Sequence, residues 1–451
     1  MIHLIRKKAT MLLGVGAVVA VLLGMTDFAA AQMSTISLQE ALDAALKRNP
    51  SVDAMRQQRR AAEARVREAT GGFLPQISML ASYTRYQEPN IIIPIHKVGV
   101  FPPLDDQIYE ARLQMQVPLF SGGRTLANRR AAKAGMQESR VQENLAELSL
   151  IERIGQMFIQ AQELNDRARL IAARIASLRR RHHELSLLLQ EGRVSPADLA
   201  IVTSSLQSAR VDSLEMDSKK QELALRLAQL VGSRQPVYPE MLQGTTAAAV
   251  VPDTSLLRQS GPQIRQARAR MEKARAMKSL AVRSFLPEIS GFAVYNYRSG
   301  ADMDFIGEWA AGVTIKLPLF EGGRRIARVK AAQASLRAAE NGLQSARDAH
   351  VTELRVALQQ WQAARERRRL IAAAVASKTT SVRAYQEMYD AGRLSLSDLL
   401  FQETELLQLQ MQEKSLAYQE RLAVLHYYAT AGELNAANVH RFVMMTEPQN
   451  R

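Results

Sequence analysis

The segment Val117-Pro118-Leu119-Phe120-Ser121-Gly122-Gly123-Arg124 decides the fold, because it returns as Leu-Pro-Leu-Phe-Glu-Gly-Gly-Arg at 317–324. Two further pairs of signals keep the same order: Phe-Leu-Pro at 73–75 and 285–287, and Gly-Arg-Val-Ser or Gly-Arg-Leu-Ser at 192–195 and 392–395. Two of the three pairs are separated by 200 positions, whereas the Phe-Leu-Pro pair is separated by 212. Because the length varies in one segment only, the chain is expected to contain two copies of one structural unit.

The N-terminal residues 1–31 have the pattern of a secretory signal peptide. A basic start at 6–8 precedes a short apolar run at 11–23, and three alanines at 29–31 precede Gln32. An uncleaved membrane anchor is the alternative, and it is disfavoured by Asp27 and by the small residues at the cleavage position. We therefore expect the mature chain to leave the cytoplasm.

The composition excludes several classes of function. The chain has no cysteine, which excludes disulfides, thiolate metal ligands, a cysteine nucleophile and a lipid-modified N-terminal cysteine. A formal charge of +15 would suit a nucleic-acid partner. The arginines, however, are mixed with glutamates along helical stretches, and even the clusters at 179–181 and 365–369 are expected to be solvated helix faces. No nucleic-acid partner is expected.

Each copy contains a long helical stretch followed by a shorter one. The 67 residues between Arg124 and Gly192 contain no proline, and good helix formers dominate them. One continuous helix of that length would measure about 100 Å, far beyond the usual globular range, which favours coiled-coil packing. Four shorter helices are expected at 38–70 with a break at 49–50, 196–230, 263–284 and 396–431.

Between each Phe-Leu-Pro and each Pro-Leu-Phe the hydrophobic period changes to two, as in strands. Strands of about ten residues with one apolar face and aromatic residues at their ends suit a membrane-spanning barrel. Four strands cannot close a barrel, whose smallest known form has eight, so we expect a shared barrel that three copies would complete with 12 strands. An ordinary soluble hairpin is the alternative.

No pattern of catalytic or metal-binding residues appears. The chain has no phosphate-binding loop, no zinc-protease motif and no nucleophile elbow. The seven histidines are scattered, and the neighbours His182 and His183 point about 100° apart on a helix. We expect no enzyme activity, no metal site and no cofactor.

The repeated signals, in their order and spacing, resemble the TolC-like outer membrane efflux proteins over about residues 37–434. The resemblance implies a fold of mixed α and β type: a homotrimer with a shared 12-stranded barrel in the outer membrane and a periplasmic tunnel of long coiled-coil helices. Without a cysteine the chain resembles the non-lipidated branch. The resemblance also implies three kinds of partner: outer-membrane lipid, a periplasmic adaptor (membrane fusion) protein, and an inner-membrane pump that is either proton-driven or of the ATP-driven ABC type. The chain would then be a passive exit duct for efflux or type I secretion.

The resemblance also gives roles to individual residues. The junctions between barrel and tunnel would be Gly122, Gly123, Gly322 and Gly323. The tip that docks the adaptor would comprise two short turns: Gly192, Arg193, Val194, Ser195, Gly392, Arg393, Leu394 and Ser395. Asp198, Tyr389 and Asp398 would form a gate, in which Tyr389 hydrogen-bonds Asp198. The sequence departs from the family pattern at Leu394 and Phe401. Independently, Ser195 and Ser395 are expected to cap the helices that follow, with the aspartates three residues later.

The expected division follows from these signals. A signal peptide at 1–31 precedes the first repeat at 32–232, with its hairpin at 76–119, long helix at 124–191 and tip turn at 192–196. A linker at 233–254 leads to the second repeat at 255–434, with its hairpin at 288–319, long helix at 324–391 and tip turn at 392–396. A tail occupies 435–451.

Three questions stay open at this level. The extra 12 residues of the first hairpin are expected to be mostly loop, and that apolar loop could cover the barrel mouth or contact lipid. Arg112 and Lys316 suggest a somewhat basic lumen. The rival functions are a periplasmic coiled-coil adaptor or scaffold without channel activity, which the amphipathic strands disfavour, and a surface adhesin, which the short loops disfavour.

Overall fold

The computed structural model describes residues 34–95, 98–240, 252 and 261–444. The expected signal peptide, most of the second half of the linker at 233–254, and the last seven residues of the expected tail lie outside the described residues. Six strands and eight helices are assigned within them.

The helices follow the duplicated sequence closely. They are α1 Leu38–Arg48, α2 Pro50–Gly71, α3 Arg124–Gln190, α4 Pro196–Val231, α5 Pro262–Arg283, α6 Arg324–Asp390, α7 Leu396–Ala431 and α8 Val439–Val443. The two long helices, α3 and α6, each have 67 residues, and their return helices, α4 and α7, each have 36. None of the helices within the described ranges is long and apolar enough to cross a membrane.

The break between α1 and α2 has a local cause. Pro50 lacks the backbone N–H that a continuous helix would need, and it opens α2 as the first helical residue. The side chain of Asn49 accepts a 3.0 Å hydrogen bond from the Ser51 backbone N–H and so caps the new helix. Asn49 also donates to the Leu230 carbonyl at 3.0 Å, which ties the break to the end of α4.

The long helix α3 packs against four others, α2 and α5 towards its beginning and α4 and α7 towards its end. Glu143 near the beginning pairs with Arg59 of α2, and Glu138 pairs with Lys273 of α5 at 2.9 Å. Around the middle, Phe158 and Leu425 are buried in a core that also contains α1 and α8. This core, together with the parallel pair β1 Ser34–Ile36 and β4 Val237–Pro239, forms a belt around the helices.

The remaining strands form one antiparallel sheet in the order β2-β3-β5-β6. They are β2 Gln76–Ile91, β3 Leu104–Phe120, β5 Glu288–Ser299 and β6 Ile306–Lys316. The first two strands have 16 and 17 residues, longer than the ten expected from the sequence. The loop between them covers 92–103 and its counterpart 300–305, so six of the 12 extra residues are loop and six extend the strands. The expectation that the addition is mostly loop was therefore half wrong.

Candidate functional site

The strand register divides the sheet into an apolar face and a polar face. Odd-numbered residues share one face, because Leu113 pairs with both Met79 and Tyr295, and Tyr295 pairs with Trp309. Within 76–84, 108–118, 288–298 and 306–316 this odd face carries only Ile, Met, Ala, Val, Leu, Gly, Tyr and Trp. Trp309 is 75% exposed, which is typical of a surface that meets an apolar medium and not of a folded core.

All six charged residues of those same strand segments lie on the even face. They are Glu110, Arg112, Glu288, Arg298, Glu308 and Lys316. Glu110 accepts hydrogen bonds from Arg112 at 2.6 Å and from Arg298 at 3.2 Å, and Arg112 also donates to the Asn296 amide oxygen at 3.0 Å. Three cations are thus balanced by three anions. The expectation of a basic lumen from Arg112 and Lys316 was wrong, because neighbouring carboxylates neutralise this face.

The outer ends of the hairpins are tied together. The Asp105 carboxylate accepts a 2.8 Å hydrogen bond from the Ala301 backbone N–H, which joins the first loop region to the second. Ile92 and Ile93 are buried, whereas Phe101 is 78% exposed. The apolar loop therefore turns part of its surface inwards against the second hairpin.

The sheet has two free edges. Within the described residues β2 pairs only with β3, and β6 pairs only with β5. Exposed strand edges have unpaired backbone donors and acceptors and are ready to pair with another strand. The sheet is therefore complete only when another chain supplies strands.

The junction glycines occupy backbone conformations that other residues resist. Gly122 and Gly322 have φ angles of 59° and 60°, and Gly123 and Gly323 have 72° and 76°. A Cβ atom at Gly122 would lie 2.3 Å from the Cβ atom of Leu286, whereas one at Gly322 would meet nothing within 4 Å. The first junction is packed within the chain, and the second is open.

The two tip turns have the same geometry. Gly192 and Gly392 both have a φ of 69°. The backbone N–H groups of Arg193 and Arg393 donate to carbonyls five residues earlier at 2.9 Å, which closes each long helix with a Schellman-type cap. Arg193 and Arg393 are exposed, whereas Val194 and Leu394 are half-buried.

The tip serines cap the return helices as expected. The Ser195 hydroxyl accepts from the Ala197 backbone N–H at 3.1 Å, and the Asp198 carboxylate accepts from the Ser195 backbone N–H at 3.3 Å. In the second turn the Ser395 hydroxyl accepts from the Asp398 backbone N–H at 3.1 Å and donates to the Asp398 carboxylate at 2.6 Å. Both aspartates are thus engaged in their own turns.

Tyr389 lies near its expected partner but is not bonded to it. Burial raises the pKa of the Tyr389 hydroxyl, the Arg181 guanidinium opposes that rise, and the Asp198 carboxylate adds to it. The Arg181 guanidinium carbon lies 5.9 Å from the centre of the Tyr389 ring. In the part of the chain that the structure describes, no hydrogen bond joins the Tyr389 hydroxyl to Asp198.

Sequence reasoning missed a cluster of charged residues above the tip. Glu403 of α7 binds both Arg174 and Arg181 of α3, and their side chains are only 16%, 11% and 14% exposed. The interpretation of 179–181 as a solvated cluster was wrong for Arg181, which points at α7. The sequence signal was a helical period: Arg174 and Arg181 are seven residues apart and share one face.

Comparisons with known proteins agree with this architecture. The family model for outer membrane efflux proteins matches residues 41–233 and 254–433. No curated protein matches the chain. Solved structures with a similar fold include a membrane protein of Pseudomonas aeruginosa, with 19% identity, a TM-score of 0.76 and coverage of 88% of this chain and 91% of that one. Others are the outer membrane protein VceC of Vibrio cholerae (19%, 0.72, covering 87% and 96%) and the outer membrane channel CmeC of Campylobacter jejuni (18%, 0.73, covering 90% and 89%).

Proposed function

Because the chain belongs to the outer membrane efflux protein family, we propose that three copies form a channel-tunnel, the passive exit duct of a tripartite efflux or type I secretion system. The chain is an outer membrane protein. In this proposal the sheets form a barrel in the outer membrane, and the long helices extend as a tunnel into the periplasm. Transport energy comes from an inner-membrane pump, either proton-driven or ABC-type.

The separation of the two sheet faces is the observation that carries this proposal. A face of only apolar, aromatic and glycine residues suits the hydrocarbon interior of a membrane. The opposite face, with its six charged residues, suits a water-filled lumen. The free edges of β2 and β6 require additional copies, because lipid cannot satisfy unpaired backbone groups.

The internal duplication supplies the register between copies. In β3 and β5, Leu113 pairs with Tyr295 and Met115 pairs with Ala293. The equivalent residues of β6 and β2, shifted by 200 and 212 positions, are Val313 with Tyr83 and Ile315 with Ala81. We infer that β6 of one copy pairs with β2 of the next in this register.

The helices support the same assembly. Met411 and Leu425 of α7 pack in the cores that α7 shares with α3. Their equivalents in α4, Val211 and Leu225, are 63% and 57% exposed. In the assembly α4 packs against α6 of the neighbouring copy as α7 packs against α3, and this contact buries both side chains.

The tip turns are proposed to dock a periplasmic adaptor protein. Val194 and Leu394 offer small apolar contacts, and the exposed arginines beside them offer charge. Asp198, Tyr389 and Asp398 stay proposed gate residues, with the tip opening when α6 and α7 move away from α3 and α4. The Gly122-Gly123 and Gly322-Gly323 turns are the proposed bends between barrel and tunnel.

The test is conductance of the purified mature protein in a planar lipid bilayer. Discrete channel openings are the expected result. A protein that folds but fractionates with the soluble periplasm and gives no conductance would instead support the adaptor or scaffold function. For the partners, a photoreactive amino acid in place of Leu394 should capture an adaptor in native membranes; capture of no adaptor by the folded trimer would overturn the docking role.

A further inference from the structure

We propose that Glu403, held by Arg174 and Arg181, is an ionic clasp that keeps the periplasmic tip closed. The inference rests on the proposed channel function and assigns a regulatory role to residues outside the expected gate. The clasp connects α7 of the second repeat to α3 of the first.

The clasp is built from several polar contacts on one carboxylate. Arg181 donates to Glu403 Oε1 at 3.2 Å and, through its second terminal nitrogen, to the Gln386 amide oxygen at 3.2 Å. Arg174 donates to Glu403 and also reaches the Thr404 hydroxyl at 3.5 Å. Arg181 therefore contacts α6 and α7 together, and Arg174 reinforces the contact with α7.

The low exposure of these side chains makes the clasp a strong constraint. Surface ion pairs contribute little because water screens them, but these three side chains are each at most 16% exposed. Removing the carboxylate would leave two guanidinium groups close together and partly desolvated, which is costly. Any movement of α7 away from α3 exacts the same cost unless water enters.

The clasp lies at a suitable height for a gate. Arg181 precedes Gly192 by 11 residues, which corresponds to about 16 Å of helix above the tip. Its guanidinium also lies over the ring of Tyr389, close to where α6 ends. Asp198 and Asp398 bind their own helix caps, so the contact described at Glu403 is the ionic one that joins the two helix pairs in this region.

The duplication shows that the clasp occurs once in each copy. The positions equivalent to Arg174, Arg181 and Glu403 in the other repeat are Ala374, Ser381 and Thr203. None of these side chains can form an ion pair, so the seam between neighbouring copies lacks the clasp. A closed trimer would therefore be fastened by three clasps, one within each copy.

The experiment compares Glu403→Gln with a matched control, Glu405→Gln, in the full mature protein. Glu405 lies two residues away on α7, but its partner is Lys378 of α6 at 2.6 Å, so its ion pair does not join α7 to α3. Single-channel recordings in planar bilayers should show Glu403→Gln open about tenfold more of the time, the equivalent of about 1.4 kcal/mol. Glu405→Gln should match the wild type.

Arg181→Gln provides an independent variant, and it should also increase opening. The charge exchange Arg181→Glu with Glu403→Arg should return the channel towards wild-type closure. A wild type that conducts while Glu403→Gln and Arg181→Gln conduct identically would overturn the clasp and leave the channel proposal standing. Equal opening in Glu403→Gln and Glu405→Gln would also overturn it. A folded wild type without conductance would overturn the channel proposal itself.

Discussion

The packed junction at Gly122 gives a prediction that can be worked from the coordinates. In Gly122→Ala the new Cβ atom would sit 2.3 Å from the Cβ atom of Leu286, at a residue whose φ is 59°. A Cβ atom cannot be moved by a change of rotamer, so the backbone on one side must shift. We expect Gly122→Ala to loosen the contact between the first junction and the start of the second hairpin.

The expected loss has two parts. A non-glycine residue in the left-handed region costs roughly 1–2 kcal/mol. Overpacking a close contact costs about 1–3 kcal/mol more. Gly122→Ala should therefore lower the free energy of unfolding by about 2–5 kcal/mol, measured by circular dichroism during denaturant titration of the purified protein in detergent.

The matched control is Gly192→Ala, because Gly192 has a φ of 69° and a Cβ atom there meets nothing within 4 Å. It should lose only the backbone part. Equal losses for Gly122→Ala and Gly192→Ala would refute the argument from Leu286. Gly322→Ala adds a test of assembly: if Leu74 of a neighbouring copy occupies the place of Leu286, its loss should approach that of Gly122→Ala.

Three further predictions concern the membrane face, a helix cap and a pH-dependent contact. Val313→Arg should reduce insertion into lipid vesicles by about 2–4 kcal/mol, because it places a charge on the apolar face; Thr314→Arg, on the polar face, should insert normally. Ser395→Ala should lower the free energy of unfolding by about 1 kcal/mol in denaturant titrations, because it removes the cap of α7. His426 receives a 2.9 Å contact from Glu152, and this hydrogen bond raises the pKa of the imidazole in the folded state. Its stabilisation should be full below the unfolded pKa of about 6.5 and disappear as the pH rises through the folded pKa.

The outcomes that contradict these predictions are equally specific. Equal insertion of Val313→Arg and Thr314→Arg would contradict the assignment of faces. Unchanged stability of Ser395→Ala would mean that water replaces the cap without loss. For the histidine, the difference in stability between the wild type and His426→Gln should shrink as the pH is raised from acidic to alkaline; a difference that is constant with pH would contradict the ion pair with Glu152.

Local signals were sufficient for the helices and for the faces of the strands. The duplicated Gly-Gly-Arg segments placed the starts of both long helices, because glycine in the left-handed region interrupts a strand and allows a helix to begin. The alternation in 76–84 and 306–316 predicted the apolar face. The extension of β2 to Ile91 could not be seen, because the strand crosses a register shift between Arg85 and Asn90 over residues typical of loops.

Contacts between distant parts of the chain were the part that the sequence could not supply. The ion pair between Arg174 and Glu403 joins residues 229 positions apart, and nothing local marks either residue as its partner. The capping of Asp198 and Asp398 was readable because it depends on residues three positions apart. Whether Tyr389 bonds Asp198 depends on how two helix pairs meet, and the pattern of either helix alone cannot determine that.

The central claim is that β6 of one copy pairs with β2 of the next, and a disulfide tests it most directly. The chain has no cysteine, so Ile315→Cys with Ala81→Cys provides the only thiols. After mild oxidation of outer membranes, we expect covalent trimers from this pair. Ile315→Cys with Ser82→Cys, in which the two side chains point to opposite faces, should remain uncrosslinked. Absence of covalent trimers from the first pair, or equal crosslinking of both, would contradict the account.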